Sequence, residues 1–192
     1  MFPNPEYLTH PNIPKPLHGV NPRSIKGQAW WDKVRREAYK KYDYHCWACG
    51  ISKWDAMFHN WLEAHEHYDI NYETGEVKLI EIIALCHSCH NFIHSGRLWK
   101  MYCHGEVDKG RADYILRHGF RVLKEAGLEP FEGTKLIWFM VNDREDEYIP
   151  PKEDDQPMAN WWNWHLILDG EKHYSPYEDI HDWSRQMREK YG

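Results

Sequence analysis

The chain has no long hydrophobic run. Its longest unbroken apolar stretches, Ile82-Ile83-Ala84-Leu85-Cys86 and Leu136 to Val141, fall far short of the roughly 20 residues that a membrane-crossing helix needs, so a soluble protein with no membrane partner is expected. The proline-studded, polar amino-terminal stretch lacks the apolar core of a secretory signal, which points to a reducing, cytoplasmic setting. Cysteine is scarce, five residues in 192, and in that setting disulfides are not expected to hold the fold. Internal repeats and low-complexity tracts are also missing, so neither a solenoid nor a disordered scaffold is indicated.

An excess of positive charge is lacking as well, the net charge being −6. Taken alone, that argues against a nucleic-acid partner, but the charges are unevenly placed. From Lys15 to Asp55 there are nine Lys/Arg against four Asp/Glu, and from Cys86 to Lys124 seven against three. Those two segments contain both cysteine pairs, so a basic surface beside them is compatible with an acidic whole. The alternative is that these charges are ordinary solvated faces.

With 42% hydrophobic and 28% charged residues the composition is globular, and the length suits a small domain with an appendage. Three regions are expected: an extended Pro-rich arm over 1–26, a central domain over 27–104 and an α+β carboxy-terminal region over 105–192. Residues 1–22 carry six of the eleven prolines, which predicts an irregular arm with no core of its own. Apolar positions from Trp30/Trp31 through Val34 and Ala38 to Tyr42 recur at helical spacing among basic residues. Leu62 to Tyr68 reads as a strand, Tyr72 to Gly75 as a turn and Val77 to Ile83 as the returning strand. A helix is expected over His90 to Trp99, and another helix or two between Tyr114 and Leu128, with Gly127 as a stop signal. Leu136 to Val141 and Trp161 to Leu168 read as strands, Asp143 to Gln156 as a loop, and Asp169-Gly170 as a tight turn. Ser175-Pro-Tyr-Glu178 reads as a capping box opening a last helix, whose stripe of Tyr177, Ile180, Trp183, Met187 and Tyr191 suits core packing.

What is present in place of those absences is a pair of motifs. Cys46-x-x-Cys49 and Cys86-x-x-Cys89 are 36 residues apart, and the second runs into His90-Asn-Phe-Ile-His94. Two such pairs match a tetrahedral all-cysteine zinc site in which each pair spans one edge and the metal joins distant segments. Dithiol redox chemistry would need only one pair. Cys103 has no partner in the pattern and reads as a buried or incidental thiol. His90 and His94, four apart on a helix, face the same way.

The order Cys-x-x-Cys, Leu62-Glu63-Ala64-His65-Glu66, then Ile83-Ala84-Leu85-Cys86-His87-Ser88-Cys89-His90-x-x-x-His94 resembles the HNH endonucleases of the zinc-stabilised ββα-metal, treble-clef-like type. The resemblance covers Trp30 to Leu98, about a third of the chain. It implies a metal-dependent hydrolase that nicks or cuts DNA, of phage or mobile-element origin, acting in a bacterial or phage-infected cell. By the same resemblance Cys46, Cys49, Cys86 and Cys89 hold a structural Zn2+, and a hairpin and a following helix hold a second, catalytic divalent ion (Mg2+, Mn2+, Ni2+ or Zn2+). His94 matches the terminal metal-binding histidine and His90 the histidine one turn earlier. His65 stands at the first position of the catalytic pair, a ligand position, and Glu66 at the second, which is usually the general-base histidine.

This departure leaves two assignments open. Either His65 binds metal and Glu66 is the base, or His65, which titrates near neutrality, is the base and Glu66 helps hold the ion. Glu81 stands where many members carry an asparagine; Asp69 and Asn71 are nearby substitutes. Lys33, Arg35, Arg36 and Arg97 are expected to contact DNA phosphates. A second reading is a zinc-stabilised DNA- or protein-binding module that has lost hydrolysis, and a weaker third is an RNA-directed or structural zinc protein. Blander readings stand beside these: His65 and Glu66 as plain strand residues, His59 and His67 as solvated, His87 as facing solvent or phosphate, and most of the eleven tryptophans as core filling.

Overall fold

The first regular helix begins where the sequence offers a reciprocal cap. Asn21 Oδ1 accepts from Ser24 N and Ser24 Oγ accepts from Asn21 N, opening α1 (Pro22–Lys26) with proline at its first position. In this computed structural model, which describes residues 2–9, 13–150 and 158–191, the basic amphipathic segment forms α2 (Gln28–Lys41). Strands β1 (Glu63–Asn71) and β2 (Glu76–Leu85) follow, then α3 (His87–Ile93), α4 (Ser95–Cys103), α5 (Lys109–Glu125) and α6 (Glu132–Val141). Strands β3 (His165–Leu168) and β4 (Glu171–Tyr174) and helix α7 (Ile180–Tyr191) complete a mixed α+β chain.

The sheet order is β1-β2-β3-β4. Only four residues join β1 to β2, which restricts them to an antiparallel hairpin. Asn71 Oδ1 accepts from Glu73 N and Thr74 N in that turn, and Gly75 leaves it at φ +78. A Cβ at Gly75 would lie 2.9 Å from the Asn163 carbonyl carbon, so glycine is required for space as well as for conformation. Strand β3 runs parallel to β2, with Val77 opposite Leu166, and antiparallel to β4.

Two compact units are interleaved along the chain. Residues 1–12, 38–65 and 83–153 form one, whose core includes Leu62, Ile83, Leu85, Phe92, Leu98, Ile115, Leu116, Leu123 and Val141. Gly119 lets α5 approach α3: a Cβ there would lie 2.2 Å from the Phe92 ring. Residues 13–37, 66–82 and 154–192 form the other, around Leu17, Tyr68, Val77, Trp164 and Leu166. The consecutive regions 1–26, 27–104 and 105–192 therefore do not coincide with these units.

Several elements differ from the sequence reading. The amino-terminal region is not merely extended: short 3-10 turns at Pro5–Thr9 and Lys15–Leu17 bury Tyr7, Leu8 and Leu17, because proline's fixed φ suits such turns. Leu136 to Val141 is the second half of helix α6, not a strand; a short apolar run reads alike in either state, and here packing against α4 and α5 selects the helix. The strand expected over Trp161 to Leu168 is limited to β3, preceded by a 3-10 turn at Trp161–Asn163. Helix α7 starts later than Ser175. Asp179 Oδ1 caps it, accepting from His181 N and Asp182 N, while Ser175 Oγ closes a local turn with Tyr177. Ile180 in its stripe is exposed. The loop from Asp143 contains a 3-10 turn at Glu145–Glu147, and its residues 151–157 lie outside the described set.

Candidate metal centre and adjoining site

The first Cys pair lies on a knuckle just beyond α2. Cys46 N donates to Ile51 O, Gly50 N donates to Cys46 O, and Gly50 at φ +74 turns the chain back. The second pair opens α3, with Cys86 as its N-cap residue and Sγ accepting from Cys89 N. Each of the four cysteines offers a sulfur within 4.8 Å of the others, and Cys49 and Cys86 Sγ are 3.9 Å apart. Four thiolates bound tetrahedrally at the usual zinc distance would be about 3.8 Å apart. The cluster can therefore hold a zinc ion.

Its electrostatics point the same way. Hydrogen bonds from Cys46, Cys86 and Cys89 hold the Cys49 thiol far below its ordinary pKa, whereas the crowd of neighbouring sulfurs pushes Cys86 and Cys89 well up. Thiols crowded this closely ionise together only when a cation offsets their charge. His118, on α5, brings Nε2 to 3.4 Å from Cys89 Sγ, and Arg121 Nη2 lies 3.4 Å from His118 Nδ1. Sequence spacing gave no sign of this backing. Cys103, at the end of α4, is exposed rather than buried.

Beside this cluster, His65, His90 and His94 each present a ring nitrogen within 4.8 Å of the others. His65 comes from β1, His90 from the middle of α3 and His94 from its end. The single helix expected over His90 to Trp99 is instead broken at His94, which has φ −91 and ψ 41 and serves as the junction of α3 and α4. Past the break Ser95 is buried against α6, with Oγ 3.0 Å from Thr134 Oγ1. Because His94 N still donates to His90 O, the two imidazoles stay together, their ring centres 4.8 Å apart.

The imidazoles are held from behind. Tyr7 Oη lies 2.9 Å from His65 Nδ1, which leaves His65 Nε2 facing His94 Nε2 at 3.0 Å. Glu63 Oε2 is 2.6 Å from His90 Nδ1, a close charge contact that lies off the direction of an aligned hydrogen bond. Outer partners of this kind fix the orientation of metal-binding histidines. Burial, together with the charges of His90 and Arg97, pushes His94 down to about 3, so it is neutral near pH 7, the form that ligates metals.

Glu63, two positions before His65 and so on the same face of β1, is a residue the sequence reading passed over. Its other oxygen, Oε1, accepts from His87 Nδ1 at 2.6 Å. Burial works to raise its pKa, but the hydrogen bond from His87 and the close contact with His90 outweigh that and hold the carboxyl well below the usual carboxylate range. His87 does not face solvent as expected: it is 7% exposed, with Nε2 2.7 Å from Arg111 Nη2. Since a guanidinium can only donate, Nε2 accepts and Nδ1 carries the proton given to Glu63.

No protein-family model, curated protein or solved structure matches this chain. Its site must be read from its own geometry.

His59 is not simply solvated either. It stacks on Trp61, with ring centres 4.0 Å apart, and meets His87 edge-on at 4.4 Å. His59, Glu63 and His87 form a second set of nitrogen and oxygen donors within 4.8 Å, but both His87 nitrogens are already engaged, by Glu63 and Arg111. Phe58 packs edge-on against His87 and lies under the Arg111 guanidinium, 4.8 Å from its ring centre. Its φ of +73 is a left-handed conformation that costs a bulky residue about 1–3 kcal/mol. The tryptophans divide: Trp31, Trp47 and Trp164 are buried, whereas Trp54, Trp61 and Trp162 are exposed and do not fill a core.

Arg97 is exposed on α4, and its charge reaches His94. Lys33, Arg35 and Arg36 lie on α2 within the other compact unit, where Asp32 engages Arg35 through its side chain and Arg36 through its carbonyl. Strand alternation turns Glu66 to the face opposite His65, and Glu66 belongs to neither histidine cluster. Asn71 is occupied in the hairpin turn and Asp69 is exposed.

Proposed function

We propose that this chain is a metal-dependent endonuclease of the HNH kind, hydrolysing phosphodiester bonds in DNA. The observation that carries the reading is the convergence of His65, His90 and His94, two of them backed at Nδ1, beside a four-cysteine cluster. Phosphodiester hydrolysis needs an activated water and an offset for the charge that builds on the phosphate. A divalent cation held by the three imidazoles would supply both functions. A nitrogen donor set accepts Mn2+, Ni2+ or Zn2+ as well as Mg2+.

The chain's own residues have separate tasks in this scheme. The cysteines fix the knuckle to the start of α3. Tyr7 orients His65, Glu63 orients His90, and burial keeps His94 neutral. With Nε2 turned toward His94, His65 is better placed as a ligand than as the base. Arg97 and the α2 residues Lys33, Arg35 and Arg36 contribute phosphate contacts that position DNA without reading its sequence.

The test is supercoiled plasmid incubated with the purified protein and Mg2+ or Mn2+, alongside His65→Ala, His94→Ala and Glu66→Gln. Nicking by the wild type that is lost in both histidine variants is the expected outcome. If no ion supports nicking, the enzyme reading fails. A metal titration of His65→Ala settles its role, since a ligand weakens binding and a base leaves it intact. Glu66→Gln that abolishes nicking with metal binding unchanged assigns the proton to Glu66.

A further inference from the structure

We infer that the loop before β1 carries a subsite for one unpaired nucleotide, with the base stacked on Trp61 and a phosphate on Arg111, so that the preferred nucleic acid has a single-stranded stretch at the site. This rests on, and narrows, the proposed nuclease function. Trp61 is 54% exposed although it is an aromatic residue, and His59 stacks on it at a ring tilt of 12°. That exposure leaves room for a base to stack beside the existing pair. His59 in turn touches His87, whose Nδ1 bonds Glu63, so the stack ends against the residues that back His90.

Arg111 supplies the second half of the subsite. No described carboxylate pairs with it, its Nε is buried without a hydrogen-bond partner, and its Nη2 lies 2.7 Å from His87 Nε2. The Phe58 ring beneath it holds the guanidinium plane in place, as Phe58 is itself held in a left-handed conformation. A positioned cation with no described carboxylate on it, joined through His87 and His59 to an exposed indole, matches the two parts of a nucleotide. Guanidinium binds phosphate through paired N–H donors, and base stacking on aromatic rings needs an unpaired base. A duplex keeps its bases stacked on each other and would leave the Trp61 face unused.

The test is equilibrium binding of fluorescently labelled oligodeoxynucleotides, a single-stranded one and a duplex of equal length, to the full zinc-loaded chain with no other divalent ion added. Tighter binding of the single strand is expected. Trp61→Ala should weaken it about tenfold, the order that loss of one stacking aromatic costs, and Trp61→Phe should restore much of it. Arg111→Gln should weaken binding and flatten its salt dependence by about one phosphate contact. Equal binding of duplex and single strand, or an unchanged affinity in Trp61→Ala, would overturn the subsite. Because binding is read without hydrolysis, the subsite can fail while nicking persists, and nicking can fail while the subsite stands.

Discussion

Glu63 joins His90, which the sequence marks by its spacing to His94, to His87, which the sequence presents only as a residue between two cysteines. One oxygen bonds His87 and the other contacts His90. Glu63→Gln keeps the shape but removes the charge, and the metal affinity of the His65, His90 and His94 set is expected to fall about 10–100-fold; calorimetric titration with Mn2+ or Ni2+ checks this, with zinc content at the cysteines unchanged. Glu63 was missed because its position two before His65 marks it only as sharing a strand face, and strand residues with that pattern are common. Tyr7 was missed because 58 residues separate it from His65, and nothing local links them.

His18 provides a pH test in the other compact unit. Its Nδ1 accepts from the Trp183 indole N–H at 3.2 Å, and Nε2 donates to Ile13 O. Burial lowers its pKa below the ordinary value of 6.5. The neutral ring therefore contributes stability that is full above the unfolded pKa and lost as pH falls from about 6.5 through the folded value. Melting temperature should drop over that window, with a change in tryptophan fluorescence that His18→Gln reduces.

Among the elements, the packing of α5 on α3 is the most sharply specified. Gly119→Ala places a methyl group 2.2 Å from Phe92 Cδ2, and overpacking of this kind costs about 1–3 kcal/mol. Chemical denaturation of Gly119→Ala should show that loss, and Phe92→Leu should cost less in the Gly119→Ala background than in the wild type. The hairpin and α2 were legible because their periods of 2.0 and 3.6 are local properties of the sequence. Helix α6 was not, because an apolar run with no polar face carries no period, and its neighbours α4 and α5 decide its form. The break at His94 was likewise invisible: the i, i+4 spacing survives it through the His94 N to His90 O bond.

For the molecule as a whole, the four-cysteine cluster ties segments that lie 36 residues apart to one core. Exhaustive chelation, or Cys86→Ser, should abolish the cooperative thermal transition of that core and the near-ultraviolet signal of buried Trp47, since metal binding and folding share one free energy. Retention of the full transition after chelation would count against a structural ion. By itself, the sequence determined the pairing pattern of the cysteines, the hairpin between them and the spacing of His90 and His94, because each depends on short-range geometry. Only the tertiary structure decided that Tyr7 backs His65, that Glu63 bridges His87 and His90, and that Arg111 comes to His87 from α5. Those contacts join residues far apart along the chain, and their partners are chosen by packing around the core.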